Sequence, residues 1–264
     1  MELHLEDKLA LVTGSTAGIG FAIAKALAAE GARVIINGRS EKRVADAVAG
    51  IRAAVPAARL ESLPVDLAKT EGTTETARRF PQLDILVNNL GVYEPKPFEE
   101  ITDADWLATI ETNFLSGVRL SRHYLPRMRA SNSGRIIFIS SESAVNIPVE
   151  MIHYGVTKTM QVALARGLAE TTAGTDVTVN TILAGPTRSK GVEGFIAEMA
   201  KTKQITPAQV EREFFQSVRP SSLLRRFATT DEVAALVVFV ASPLASAVNG
   251  AALRAEGGVL RSIF

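Results

Sequence analysis

Ser141, Tyr154 and Lys158 are the residues of this chain whose types and spacing could do chemistry together. On a helix, residues i and i+4 share a face, so Lys158 would lie one turn from Tyr154 and act on the same site. Ser141 precedes the tyrosine by thirteen residues, at the end of an apolar run that reads as a strand. A phenol with an ordinary pKa near ~10 is a sluggish proton carrier at neutral pH, and something must lower that value. A nearby ammonium favours the phenolate, and a serine hydroxyl can hydrogen-bond an oxygen on which charge develops. Such a set suits proton transfer at a carbonyl or alcohol oxygen. A tyrosine four residues before a lysine also arises readily by chance, so its weight depends on its surroundings.

The first of those surroundings is Thr13-Gly14-Ser15-Thr16-Ala17-Gly18-Ile19-Gly20, which closes one strand and opens a helix. A pyrophosphate needs close approach to backbone and gains from the free N–H groups at a helix start, and glycines allow both. An ordinary glycine turn would look the same when taken alone.

The order of these motifs resembles the short-chain dehydrogenase/reductase family, whose glycine pattern is T-G-x-x-x-G-x-G and whose chain continues through N-N-A-G to Ser and Y-x-x-x-K. Here Asn88-Asn89-Leu90-Gly91 is similar to N-N-A-G, with leucine for alanine, and Asn88 is expected to tie neighbouring strands together. Arg254-Ala255-Glu256-Gly257-Gly258 resembles the terminal D-G-G, with glutamate for aspartate, so the likeness spans nearly the whole chain. It implies a Rossmann-like, doubly wound parallel α/β sheet in a single domain. It also implies reversible interconversion of a ketone and a secondary alcohol, with Tyr154 as acid/base, Ser141 on the substrate oxygen and Lys158 on the tyrosine and the nicotinamide ribose.

The remaining site residues follow from the same likeness. Gly14, Ser15, Thr16, Gly18, Ile19 and Gly20 would cradle the cofactor phosphates, while Asp66 and Leu67 would meet the adenine and Asn89 and Gly91 would line the same groove. Asp66 could equally be a strand-end or helix-capping aspartate. Asn113 matches the asparagine that helps hold a water beside the lysine, although a kink or an interhelical hydrogen bond would serve as well. Gly185, Thr187 and Ser189 lie in the segment that closes on the nicotinamide carboxamide, with Ala184 in place of the usual proline. At the end of the second strand Gly38 stands where NAD-preferring relatives commonly carry an acid. Gly38 leaves room for a 2′-phosphate that Arg39 and Ser40 could bind, which favours NADP(H) over NAD(H). The competing reading makes Ser40 a helix N-cap and Arg39 a solvated charge. An epimerase, a dehydratase or a cofactor-binding sensor on the same scaffold remains open.

The elements that must position these residues are legible as alternating strands and helices. Strands are expected at Lys8–Thr13, Arg33–Asn37, Arg59–Val65, Leu83–Asn88, Gly134–Ser141, Val177–Leu183 and Ala251–Arg254. Several, such as Ile136-Ile137-Phe138-Ile139, are apolar throughout, as strands covered on both faces are. Thr102 with Asp105 should start a long helix to about Arg129, and Thr229 with Glu232 another through Ala241. Residues 189–226 read as a helical lid, mobile because Gly191, Gly194, Pro207 and Pro220 interrupt it. His153 is expected on the pocket rim or against a neighbouring subunit, not in catalysis.

Bulk composition narrows the class. The 264 residues are 47% hydrophobic and 22% charged, enough for one large core. Basic residues number 29 against 28 acidic ones and are scattered, which argues against a nucleic-acid partner. No cysteine is present, and the three histidines lie apart in no pattern suited to a metal. The chain shows neither a signal-peptide core nor an apolar run near the ~20 residues of a membrane span, so a cytoplasmic protein is expected. The family likeness implies a homo-oligomer, tetramer or dimer, joined through the helices starting near Thr102 and Ile152.

Overall fold

Ile136 and Phe138 face one side of their strand while Ile137 and Ile139 face the other, and all four are buried. That alternation divides the core into two layers, one on each face of a sheet. The computed structural model describes residues 2–263. Its seven long strands are β1 (Leu9–Val12), β2 (Arg33–Gly38), β3 (Arg59–Pro64), β4 (Ile85–Asn88), β5 (Gly134–Ser141), β6 (Val177–Ala184) and, last in the chain, β9 (Ala252–Ala255). All pair in parallel in the order β3-β2-β1-β4-β5-β6-β9. The seven expected strands are all present, with ends displaced by at most two residues.

Helices cover both faces. On one side α1 (Gly18–Ala29), α2 (Glu41–Ala54) and α9 (Thr230–Ala241) bury Ile23, Leu27, Val44 and Val237 against Val12, Val34, Ile36 and Ile182. On the other, α3 (Thr70–Arg79), α5 (Ser116–Ala130) and α6 (Ile152–Glu170) enclose a layer with Leu120, Tyr124 and Ala165 against Leu11, Leu86, Phe138 and Val179. Strand order runs outward from β1 in one direction and from β4 in the other, so the crevice beyond their carboxyl ends is where a ligand fits such a sheet.

The expected long helix from Thr102 is present but not regular. A capping box between Thr102 and Asp105 starts α4 (Asp103–Ile110), and a π turn over Glu111–Leu115 joins it to α5. There the Ser116 N–H reaches back five residues to Glu111 O. π turns of this kind open carbonyls to other partners and are frequent at functional sites.

The segment 189–226 departs from its expected form. Gly191 and Gly194 lie inside an unbroken helix, α7 (Lys190–Lys203), and Pro207 opens α8 (Pro207–Glu213) at a position where its missing N–H costs nothing. Ile196, Ala200, Val210, Phe215 and Phe227 form a small core of its own, against which Met199 and Phe214 also pack. A two-residue pairing of β7 (Thr187–Arg188) with β8 (Ala228–Thr229) joins the two ends of this segment. Among the described residues, no helix is long and apolar enough to cross a membrane, and no group of His, Asp or Glu could hold a metal ion.

Candidate active site

The carboxyl ends of β1, β2, β4, β5 and β6 open onto one cavity of about 640 Å³. At one end Gly38, Arg39 and Arg43 line it; at the other stand Ser141, Tyr154 and Lys158. From β2 to β5 is three strand steps, roughly 14 Å at the usual spacing. The length suits an extended ligand.

The glycine turn has the backbone geometry that could hold a phosphate. Gly14 and Gly18 take φ of +62° and +58°, which favour glycine. Ala17 precedes α1 without a side-chain cap, and the first turn carries no acid, so the helix-start N–H groups face the cavity uncapped. The loop is held from behind: Thr13 Oγ1 accepts from Asn89 N and Leu90 N, and Asn89 Nδ2 donates to Thr13 O at 2.8 Å. Asn89 therefore stitches β1 to β4, the role expected of Asn88. Asn88 instead reaches from the sheet to Ser121 of α5, because its side chain emerges on the helix face.

Asn37 adds a crosslink that sequence reasoning missed. Its Oδ1 accepts from Gly14 N at 3.0 Å while Nδ2 donates to Leu63 O and Val65 O. Ser15, expected on the cofactor, turns inward instead and is fully buried, its Oγ accepting from Asn37 N. Ser40 also lies off the cavity lining: it is the N-cap of α2, accepting from Arg43 N. Arg43 takes a place beside Arg39 on the lining, a position its i+4 spacing could have revealed.

Thr16, Gly18, Ile19, Gly20, Leu67, Gly91, Gly185, Thr187 and Ser189 line the cavity as expected. Asp66 does so too, with one carboxylate oxygen occupied by Ala68 N at 3.0 Å. Ser189 caps α7 and lies over the glycine turn. These donors, the open helix start and the basic end fit a dinucleotide.

At the inner end, α6 is fastened to β5 by the Ser140 hydroxyl, which donates to Lys158 O at 2.9 Å. Ser143 N donates to Ser141 Oγ at 3.1 Å, so that hydroxyl's own hydrogen is the one that serves the phenol. The Tyr154 phenol is hydrogen-bonded to Ser141, and Lys158 Nζ lies 5.5 Å from the tyrosine ring centroid. Burial pushes the Tyr154 phenol up to about 12, countered in part by the Ser141 bond. Burial likewise draws Lys158 down to about 8. The expected lowering of the phenol by the ammonium is absent and burial governs its shift; the ammonium hydrogens go to Ile139 O at 2.8 Å and Gln161 Oε1 at 3.2 Å. At neutral pH the pair stands as neutral phenol and ammonium, the form that can give a proton.

Asn113 lies in the π turn, buried and off the cavity lining. Its amide exchanges two hydrogen bonds with the backbone of Val92, at 2.8 and 2.9 Å, and so fixes the loop after β4. Its main-chain carbonyl accepts from Gln161 Nε2 at 2.6 Å. His153 is on neither the rim nor an outer face: it is buried edge-on against Trp106 of α4. The segment 189–226 is tied to the turn after β5 by Arg219, whose Nε donates to Glu142 Oε1 at 2.7 Å, a buried pair that no local pattern announced.

Residues 14–260 match the family described as enoyl-(acyl carrier protein) reductase. The chain is 47% identical over 264 residues to the uncharacterised oxidoreductase YvaG of Bacillus subtilis, covering all of both chains. It is 35% identical over 260 residues to a D-beta-hydroxybutyrate dehydrogenase of Cupriavidus necator, covering 96% of this chain and 98% of that one. Among solved structures, L-sorbose reductase of Gluconobacter frateurii, complexed with NADPH and L-sorbose, superposes with a TM-score of 0.91 at 30% identity, covering 100% of both.

Proposed function

The chain belongs to the short-chain dehydrogenase/reductase family and is an NAD(P)-dependent oxidoreductase, and from that premise we propose that it interconverts a ketone and a secondary alcohol using NADP(H). The observation that carries this reading is the placement of Ser141, Tyr154 and Lys158 in one cavity with a doubly basic end at Arg39 and Arg43. When bound, the nicotinamide supplies or accepts the hydride. Tyr154 gives its phenolic proton to the carbonyl oxygen, and the Ser141 hydroxyl, turning from the phenol, donates to that oxygen as charge builds. Lys158, in reach of the phenol, steadies the phenolate that remains. L-Sorbose reductase, bound to NADPH, is the structural likeness that supports the cofactor choice.

Absorbance of reduced nicotinamide, followed with a panel of ketones, tests the reading. Trials should begin with 3-oxoacyl thioesters and include ketoses and short 3-oxo acids. Oxidation of NADPH by at least one of them is expected; tight NADPH binding with no turnover across the panel would leave a sensor. We further propose that residues 189–226 act as a cap on the substrate. Because this segment has its own core and is anchored through Arg219, it should move as a unit about the β7–β8 pairing rather than unfold. Hydrogen exchange in α7 should slow on NADPH binding; equal protection with and without NADPH would contradict a cap. The same family reading carries a cytoplasmic homo-oligomer, dimer or tetramer, joined through α4, α5 and α6. Leu107, 68% exposed on α4, is an apolar contact suited to that joint.

A further inference from the structure

We propose that Gln161 is a positioning residue for this reaction: its buried amide bridges the Lys158 ammonium and the Asn113 carbonyl, keeping the lysine charged and aligned beneath Tyr154. The inference rests on Tyr154 and Lys158 being the acid/base pair.

Tyr154, Lys158 and Gln161 follow one another at i, i+4 and i+7 along α6, which places all three on one helix face. Gln161 is 1% exposed, and an amide so far from water is costly unless both its ends are bonded. Both are. Oε1 accepts from Lys158 Nζ at 3.2 Å, and Nε2 donates to Asn113 O at 2.6 Å. The orientation of the amide is forced, since an ammonium can only donate and a carbonyl can only accept. Thr112 O, the neighbouring carbonyl of the π turn, is likewise taken, by the Ser116 hydroxyl at 2.6 Å.

Two consequences follow. Ile139 O and Gln161 Oε1 are the acceptors that hold the ammonium in a setting whose burial favours the neutral amine. An amide neither gains nor loses a proton in the working range, so Gln161 aligns the lysine but does not relay protons to the Asn113 carbonyl. The titratable and charged groups acting on Tyr154 are Glu142 from the turn after β5, Tyr93 from the loop after β4 and Arg219 from the cap. Burial lowers Lys158, and no charged group offsets it. Gln161 is therefore the neutral handle on the charge of the pair.

The test is the pH profile of NADPH-dependent reduction under conditions where deuterated NADPH shows that hydride transfer limits the rate. In Gln161→Met the ammonium loses an acceptor, and the alkaline limb should fall by about one pH unit. In Gln161→Glu a carboxylate faces the ammonium, and the limb should rise by a similar amount with NADPH affinity close to wild type, while the thermal midpoint falls because Asn113 O loses the N–H it accepts. A mere staple between α6 and the π turn would give lower stability with an unmoved limb in both variants, and that result overturns the proposal. If Gln161→Met does not fold, the upward shift in Gln161→Glu still decides. Tyr154→Phe separates the two readings. Should it retain turnover, the acid/base assignment fails and this proposal with it; should it be inactive while both Gln161 variants keep the wild-type limb, only the role of Gln161 falls.

Discussion

Tyr154→Phe should lower the rate of the chemical step by ~10²–10⁴, the usual contribution of a positioned acid/base group, with NADPH affinity nearly unchanged. Only the hydroxyl is removed. The ring keeps its edge contact with Tyr93, at 6.1 Å between centroids, and its position over Lys158 Nζ. Ser141 keeps the hydrogen bond from Ser143 N, and Thr157 Oγ1 still donates to the backbone carbonyl of residue 154. Geometry and cofactor contacts are therefore preserved while the proton donor is lost. Single-turnover reduction with saturating NADPH measures the step itself. Retention of more than about a tenth of the wild-type rate would remove Tyr154 from its assigned role.

Arg39→Ala combined with Arg43→Ala should weaken NADPH binding by ~10²–10⁴ and leave NADH binding almost unaltered, taking each guanidinium–phosphate contact as worth roughly ten- to a hundredfold. Both side chains are exposed at the end of the cavity, so the loss should sit toward the lower figure and shrink as salt rises. Each single variant should show about the square root of the combined effect if the two act independently. Titration of both cofactors against wild type and the three variants checks this, and equal losses for NADH and NADPH would contradict a 2′-phosphate contact. Reversing the preference with Gly38→Asp is a less direct test. A Cβ at that position would lie 2.5 Å from Thr16 Cγ2, so Thr16→Ala must accompany it.

Much of this site was legible because its determinants are local. The glycine turn, the Tyr154–Lys158 helical spacing and the two-sided apolar strands each occupy one short stretch of chain, and the structure brings them to one crevice. What was not legible depends on contacts between distant segments. Asn37 joins residues 14, 63 and 65, Glu142 meets Arg219 across 77 positions, and Gln161 meets Asn113 across 48. Each residue alone looks like an ordinary polar side chain; the sheet order and helix packing give it a partner. The cap shows the opposite error. Its glycines and prolines suggested interruption, but α7 carries two glycines without breaking, since tertiary packing of Ile196 and Ala200 outweighs their propensity cost.

Hydride transfer itself can be followed with NADPH carrying deuterium at C4 of the reduced ring. With both hydrogens at that C4 replaced by deuterium and a ketone the enzyme accepts, the account predicts one deuterium on the carbinol carbon of the product for each NADPH consumed. Product formed without deuterium at that carbon would contradict it.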